Sequence, residues 1–486
     1  MTASAPAWPS MSYDSLPIPA AVFELLAYLI VGTASVLAFV TGWLSINAAV
    51  VLTVLLLGSL IALSWIHLGH GRHPVFLFLC TLTLFQGGRL IAYCVGVEPT
   101  PMHIILLNAN FDISRQQQGT VLLCVALAAL FVYAPARWAY RDVPPTNSIK
   151  FEKYLPYLYL VFAITWPALI FKSYEYYDYV MSHGGYLSFF VNHSAVKATV
   201  PFIVRALSLL PYPVLIAILV IEQRKSLVWL LSILYLGATA IMLAFGSRGG
   251  TVTLLLTIWW ISRIRTRRRP RLLAIAFVMV VLLFLVDSVR HQREQSNPGI
   301  MGFAPIQAIS IEGAPLNMTE MAVKYRSHFE HYSFSYLLYE LRSGFVGIDN
   351  LHYAPGQSLD LDASTFLNPE LFNQGNRVAS SYIGEAYIAG GMPAVVVVSL
   401  LIGWALSAIF ARCDRPGYVL LLALVLQDVL VMPRAQLLDW LTILFRNLLM
   451  LASAWIGWNF YQLLAGVRDV SSQSQIGISA GPPAQT

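Results

Sequence analysis

Arginines stand at the ends of several long apolar runs in this sequence, where a charge borders on lipid. One such arginine alone would be explained by snorkelling to the headgroups. A group of them indicates function, because an ionisable side chain in lipid costs about 2.5–3.5 kcal/mol. The arginines at one end of the runs are Arg205, Arg248, Arg290, Arg293, Arg377 and Arg434. Since a guanidinium suits phosphate, they predict a basic pocket at the headgroup level for a lipid-linked phosphate or pyrophosphate.

Arg248 differs from the others because glycines surround it. It lies in the turn Gly246-Ser247-Arg248-Gly249-Gly250 between two apolar runs. The glycines leave room for a ligand to approach backbone N–H groups, and the turn precedes a predicted helix whose N-terminus favours anions. We therefore expect Arg248 to hold a phosphate group.

Four residues are candidates for a general base. Glu385 opens a late apolar run, and His291, His328 and His331 lie in the long polar segment before it. Each could take a proton from a hydroxyl within hydrogen-bond reach. The alternative is that His328 and His331 are solvated residues of a lid helix. They could also bind a metal, but no third ligand has a recognisable spacing, so we predict neither a metal nor another cofactor.

The elements that must position these residues are membrane-spanning helices. Of the 486 residues, 57% are hydrophobic and only 11% are charged, against about 25% charged in soluble domains. A helical span needs roughly 20 apolar residues. The predicted spans number about twelve, at 19–42, 46–66, 74–96, 119–136, 154–172, 198–222, 226–245, 249–263, 271–288, 383–411, 417–433 and 440–464. The predicted fold class is therefore all-α, a polytopic membrane helical bundle, although the hairpins 226–263 and 417–464 could be re-entrant instead.

Positive charge in the short connections predicts the orientation. Lysine and arginine concentrate in every second loop, most of all from Arg263 to Arg271, and such loops stay cytoplasmic. The net charge of +6 thus reflects topology and not a nucleic-acid partner. The predicted parts are a cytoplasmic tail (1–18), spans (19–288), a large periplasmic loop (289–382), further spans (383–464) and a disordered cytoplasmic tail (465–486).

Amphipathic helices are expected in the large loop, and one of them is clearly indicated. Asn317, with Glu320 three residues later, has the pattern of a capping box. One face of the helix would carry Met321, Tyr325, Phe329, Tyr332, Tyr336 and Tyr339. Such a row suits the headgroup level of a membrane, where a ring is buried while its hydroxyl stays wet.

Two short motifs and the layout of the whole chain resemble the Wzy-type O-antigen polymerases and the related O-antigen ligases. Phe245 to Gly250 resembles their S-R-G motif at a span boundary. Gly375 to Gly391, which reads GNRVASSYIGEAYIAGG, resembles the segment that closes their large loop. The spans before the loop, its length and the spans after it also resemble that layout.

The resemblance implies a GT-C-like fold and a metal-independent glycosyltransferase of the bacterial inner membrane, with its site facing the periplasm. Such an enzyme transfers a polyprenyl-pyrophosphate-linked glycan onto another lipid-linked repeat unit, among membrane lipids, with a chain-length regulator protein as a further candidate partner. Arg248 would hold the donor pyrophosphate, and Ser381 and Tyr387 would bind the substrate. Where the ligases have a histidine near the loop end, this chain has Ser380, Ser381 and Glu385, which favours a polymerase and leaves the base open.

Two other functions stay open on the sequence. One is an O-antigen ligase or another glycosyltransferase that uses lipid-linked sugars, and the other is a transporter of polysaccharide or lipid. Transporters often have repeated halves and charges at the membrane midplane. Here no repeat is visible and the charges gather at one face beside the large loop, which favours an enzyme.

Overall fold

The computed structural model describes residues 18–98, 102, 104–106, 109–144, 149–183, 193–244, 249–265, 304–346, 355–373 and 378–476. These residues are mostly helical, as predicted. A short antiparallel hairpin, β1 (Ile104–Leu106) with β2 (Ala109–Phe111), follows the third helix. The hairpin was not predicted, because its strands have three residues each.

The helices, with three short 3-10 turns, account for almost all of the described chain. In chain order they are α1 (Ile18–Val40), α2 (Ile46–His67), α3 (Pro74–Cys94), α4 (Arg115–Ala139), a 3-10 turn (Ile149–Tyr154), α5 (Leu155–Ser182), α6 (His193–Ala198), α7 (Phe202–Leu207), α8 (Pro211–Ile221), α9 (Lys225–Ala244), α10 (Gly249–Arg265), α11 (Ala304–Glu312), α12 (Pro315–Lys324), α13 (Arg326–Phe329), a 3-10 turn (Glu330–Tyr332), α14 (Ser333–Val346), α15 (Leu359–Leu367), α16 (Pro369–Asn373), α17 (Tyr382–Phe410), α18 (Pro416–Val431), a 3-10 turn (Met432–Arg434) and α19 (Asp439–Ile476).

Ten helical stretches within these ranges are long and apolar enough to cross a membrane. They are α1 to α5, the stretch of α7 and α8, α9, α17, α18 and α19, and each coincides with a predicted span. The predicted span 249–263 is α10, which has only 17 residues. The predicted span 271–288 lies outside the described residues. Helix α19 continues to Ile476, beyond the predicted boundary at 464.

The bundle is built around α4 and α8. Helix α4 packs against α1, α2 and α17, and Gly403 of α17 lies against the backbone carbonyl of Val132. A side chain at that glycine would collide with the carbonyl, so the small residue is what allows the close helix–helix approach. In α8 every residue except Tyr212 is buried, because neighbouring helices surround it.

The ends of the helices separate into two faces. At one face, Arg72 forms an ion pair with Asp142, and Trp260 donates to the Arg72 carbonyl at 2.8 Å. These contacts join the α2–α3 connection, the chain after α4 and the last part of α10. The alternation of loops between two faces therefore agrees with the predicted alternation, while the assignment of one face to the cytoplasm stays a prediction.

The described residues 304–346, 355–373 and 378–380, here called the outer segment, cover the opposite face. The predicted single helix with a capping box at Asn317 is wrong. Helix α12 already begins at Pro315 and ends at Lys324, and the chain leaves helical geometry at Tyr325. Asn317 and Glu320 are buried inside α12, so neither serves as a cap.

The aromatic row of the outer segment is largely buried within that segment. Met321, Phe329 and Tyr336 are buried and pack with Leu359 and Val378. Tyr325 and Tyr332 are partly buried against the same cluster. These side chains form a small hydrophobic core within the outer segment. The expectation that the aromatic row lies at the lipid headgroups is therefore wrong for them.

Helix α17 is interrupted near its start. Gly390 and Gly391 depart from helical geometry, and Gly391 has φ = +67°, a conformation that glycine adopts without steric cost. Pro393 lies two residues after Gly391. The first turns of α17, which carry the predicted site residues Glu385 and Tyr387, are thus set apart from the long membrane-spanning part.

Candidate active site beneath the outer segment

The outer segment packs closely against the end of α3 at two glycines, Gly88 and Gly313. A Cβ at Gly88 would collide with the carbonyl of Ile309, and one at Gly313 would collide with the backbone of Arg89. Arg89 donates to the side chain of Asn317. Because two backbones meet directly and a buried charge bridges them, the outer segment and α3 form one packed unit.

Ser381 belongs to a buried polar network that joins four parts of the chain. The Gln86 amide donates to the Ser381 hydroxyl at 3.0 Å and to the Pro433 carbonyl at 2.6 Å. Thr319 donates to the Gln86 carbonyl at 3.0 Å. Ser381 also caps α17, accepting from the Gly384 amide. The network therefore fixes α3, α12, the first turn of α17 and the 3-10 turn at Pro433 to one another.

Glu385 is buried, and both of its carboxylate oxygens accept hydrogen bonds. Ser380 donates to one oxygen at 2.8 Å and the Leu437 amide donates to the other at 2.8 Å. Its carboxyl is also within hydrogen-bonding range of Glu340, which accepts from the Leu438 amide at 2.7 Å. Two acids thus hold successive backbone amides just before α19.

Burial raises the pKa of Glu340 to about 8, and the nearby Asp439 and Asp360 carboxylates add to the rise. The hydrogen bond from Leu438 opposes it. The hydrogen bond with Glu385 also lowers the pKa of Glu340, so in this carboxyl pair Glu340 is the acceptor and Glu385 is the donor. Sequence reasoning missed Glu340, since nothing in its neighbourhood distinguishes it from an exposed loop acid.

Glu320 is the second acid whose burial changes its chemistry. It is fully buried in α12, and neither carboxylate oxygen has a hydrogen-bond partner among the described residues. Burial raises the pKa of Glu320 to about 8, against the opposing charge of Arg89. The carboxyl is therefore mainly neutral at pH 7.

Arg434 and Tyr387 lie at the edge of this region. Arg434 forms an ion pair with Glu312 at 2.6 Å, and its guanidinium lies over the Phe85 ring. Tyr387 is partly buried, and the Arg326 guanidinium lies 5.8 Å from its ring centre. Both predicted residues therefore border the outer segment.

His328 and His331 are exposed on the outer segment. The His328 ring packs against Phe329 and Phe366, with ring centres 4.8 and 4.5 Å apart. The His331 ring lies 3.9 Å from that of Tyr332. His328 is thus held between two rings, whereas His331 has one such neighbour.

The structure brings Ser381, Glu385 and Arg434 together at the ends of α3, α17 and α18. Arg205 lies elsewhere, on α7 beside α5, within electrostatic range of Tyr176. The remaining predicted residues lie outside the described residues; they are Arg248, Arg290, His291, Arg293 and Arg377.

This fold and this arrangement define a multi-pass α-helical membrane protein with a buried polar network beneath the outer segment. The family model for the O-antigen polysaccharide polymerase Wzy matches residues 21–462. The chain therefore belongs to the Wzy family, and the predicted family is confirmed. No match was found among curated proteins or among solved structures.

Proposed function

We propose that the protein is a polysaccharide polymerase that transfers a polyprenyl-pyrophosphate-linked glycan onto another lipid-linked repeat unit. The reaction takes place at the face covered by the outer segment, which we assign to the periplasm. The single observation that supports this placement is the convergence of Ser381, Glu385 and Arg434 beneath the outer segment. Membership of the Wzy family supports the reaction class.

The chemistry requires a base and a stabilised leaving group. The acceptor hydroxyl attacks the anomeric carbon of the donor glycan, and the bond from that carbon to the diphosphate oxygen breaks. The diphosphate leaves with the electron pair, and the hydroxyl proton passes to the base. Since negative charge builds up on the leaving diphosphate, cations placed beside it lower the barrier.

We assign the base to a histidine of the outer segment, with His328 as the first choice. His328 is exposed and oriented by two aromatic rings, so it can reach a hydroxyl without leaving its position. Glu385 is buried with both oxygens engaged, and we assign it a positioning role at the start of α19. His291 is kept as a second candidate base.

The diphosphate contacts are assigned to arginines at the same face. Arg248 is the first of them, because it directly precedes α10 in a glycine-rich part of the sequence and the first turn of a helix favours anions. The further members of the proposed set are Arg205, Arg290, Arg293, Arg377 and Arg434. A chain-length regulator protein is a proposed partner of the outer segment.

The test is glycan length in membranes that carry the variant as their sole copy. Arg248→Ala is expected to insert normally and to yield only single-repeat glycans. The matched control is Arg412→Ala at the opposite face, where the guanidinium contacts its own helix at the Ala408 carbonyl. Normal long chains from Arg248→Ala would overturn its role.

The same membranes separate the alternative functions. Products that stay on polyprenyl pyrophosphate support a polymerase, and products on a lipid A core identify a ligase. Movement of lipid-linked glycan across proteoliposomes, without any lengthening, would identify a transporter. For the base, His328→Gln is expected to abolish lengthening while His331→Gln retains most of it; equal activity of both variants would remove His328 from the role.

A further inference from the structure

A cavity of about 310 Å³ with charged groups in its wall lies among α5, α8, α9, α10, α18 and α19. Its walls carry two cations, Lys172 of α5 and Arg446 of α19, together with Asp428 and Gln427 of α18. The rest of the lining is made of apolar side chains, such as Leu169 and Met242, and of residues with hydroxyl groups, which are Ser208, Tyr212, Tyr235, Thr239 and Thr251. Cavities of this size are typical of small-ligand sites.

The cavity lies toward the same end of the bundle as the site described above. Thr251 belongs to the first turn of α10, directly after the glycine-rich turn that carries Arg248 in the sequence. Arg446 lies seven residues after Asp439, the first residue of α19, which is about 10 Å along the helix axis. Since Glu340 and Glu385 hold the amides just before Asp439, the cavity lies about two helical turns from that acid pair.

Positive charge predominates at the cavity. Arg446 and Arg205 both lie within electrostatic range of the Lys172 ammonium, and Asp428 is the acid that lines the same space. No carboxylate among the described residues lies within ion-pair distance of Lys172 or Arg446. These three cations outnumber the two nearby acids, Asp428 and Asp439, and no ion pair among the described residues neutralises them, which favours an anionic ligand.

Two hydrogen-bond acceptors at the cavity also lack a donor. Asp428 Oδ2 and Gln427 Oε1 are both shielded from solvent, and neither has a hydrogen-bond partner among the described residues. A buried acceptor left unpaired costs about 1–3 kcal/mol, so a ligand with hydroxyl donors would be favoured there. The cavity thus combines cations for an anion with acceptors for hydroxyl groups.

We infer that this cavity is a glycosyl-diphosphate site, in which Lys172 and Arg446 bind the diphosphate while Asp428 and Gln427 accept hydrogen bonds from the sugar. The assignment rests on the proposed function for its ligand class and adds residues that the proposal above does not contain. An alternative role for Asp428 is that of a structural counterion to Arg446, and the experiment separates the two roles.

The experiment measures binding to the full-length protein, purified in detergent, by calorimetry. Inorganic pyrophosphate and farnesyl diphosphate are the probes, and farnesyl monophosphate tests the need for two phosphates. Lys172→Gln and Arg446→Gln are each expected to weaken diphosphate binding by about tenfold, because each removes a charge-assisted hydrogen bond. Arg412→Gln, at the opposite face, is the matched control and is expected to bind like the parent.

Asp428→Asn distinguishes a sugar contact from a counterion. We expect it to bind inorganic pyrophosphate at least as tightly as the parent, because a negative charge is removed, and to bind a lipid-linked repeat unit more weakly. Unchanged pyrophosphate affinity in both Lys172→Gln and Arg446→Gln, with unchanged thermal unfolding, would overturn the inference. Binding and glycan lengthening are measured in separate experiments. The binding experiment can therefore refute the cavity as a diphosphate site without refuting the polymerase function, and the glycan-length experiment can refute the polymerase function without refuting binding at the cavity.

Discussion

The Gln86 side-chain amide donates to the Ser381 hydroxyl at 3.0 Å, and this bond joins α3 to the first turn of α17 across 295 residues of sequence. Both side chains are buried. The same amide also holds the Pro433 carbonyl at 2.6 Å. One glutamine therefore ties together the ends of three spans directly beneath the outer segment.

Replacing Ser381 tests whether this network is only structural. Ser381→Ala removes the cap of α17 and one acceptor of Gln86, so we expect a loss of about 1–3 kcal/mol in the free energy of unfolding. Gln86→Leu with Ser381→Ala is expected to cost less than the sum of the single changes, since no buried amide then lacks its hydroxyl acceptor. Measuring the free energy of unfolding of the single and double variants in detergent gives the coupling energy between Gln86 and Ser381.

Chain length in membranes then separates stability from function. If Ser381 binds substrate, the double variant gives short glycans even where its stability approaches that of the parent. Full-length glycans from a stable double variant would restrict Ser381 to the structural role.

The buried carboxyl of Glu320 makes stability depend on pH. Its pKa is raised from 4.5 to about 8, so the folded protein holds this proton more tightly than the unfolded chain. The stabilisation is complete below about pH 4.5 and is lost as the pH rises through about 8, by an amount on the order of 3–5 kcal/mol.

Glu320→Gln is expected to reduce that pH dependence. The amide has nearly the same volume and does not ionise, so the melting temperature should fall less between about pH 4.5 and about pH 8, the two ends of the window, than it does in the parent. Part of the slope remains, because Glu340 has its pKa raised in the same way. Identical slopes in parent and variant would show that Glu320 is not the group that titrates.

The spans were predictable from composition because lipid imposes about 20 apolar residues on any helix that crosses it. Ten of the predicted spans coincide with helices in the described residues that are long and apolar enough to cross a membrane. The pattern at Asn317 and Glu320 failed for a physical reason. A capping box is a local rule, whereas the partner of Asn317 is Arg89, which lies 228 residues away in the sequence.

The candidate site was predictable only in part. Ser381, Glu385 and Arg434 could be selected because each stands at the end of an apolar run. Lys172 and Arg446 also interrupt apolar runs, but their convergence depends on how α5 and α19 pack, and single-sequence spacing does not contain that information. Glu340 is buried by the docking of α14 on α19, which again is a property of the tertiary fold.

The ion pair of Arg434 with Glu312 offers a charge-exchange test. Arg434 is partly accessible, with 34% of its side chain exposed, and its nitrogen lies 2.6 Å from the Glu312 carboxylate. Such a partly exposed pair contributes roughly 1 kcal/mol or less. The exchange variant Arg434→Glu with Glu312→Arg is therefore expected to retain near-parental stability in detergent.

Glycan length in membranes that carry the exchange variant tests whether Arg434 also binds substrate. If Arg434 contacts the lipid-linked substrate, the exchange variant makes short glycans, because a carboxylate now lies where the guanidinium was. If a correctly inserted exchange variant makes glycans of parental length, Arg434 does not contact the substrate and its role is limited to the ion pair with Glu312.

The contact of Gly403 with Val132 gives a test of how tightly the bundle is packed. In most helices Gly→Ala stabilises by roughly 0.5–1 kcal/mol, since alanine restricts the unfolded chain and favours the helix. At Gly403 the added methyl would collide with the Val132 carbonyl, so α17 and α4 must move apart. We expect a net loss of about 1–3 kcal/mol, as for other overpacked sites.

Gly58→Ala in α2 is the matched control, because a Cβ there meets nothing within 4 Å. Its melting temperature in detergent is expected to equal or exceed that of the parent, while that of Gly403→Ala falls by several degrees. The melting temperature of the larger substitution, Gly403→Val, should fall further, since the two methyl groups on its Cβ increase the separation that α17 must accommodate. If all three variants melt alike, α17 and α4 do not pack through this glycine, and the central contact of the bundle must lie elsewhere.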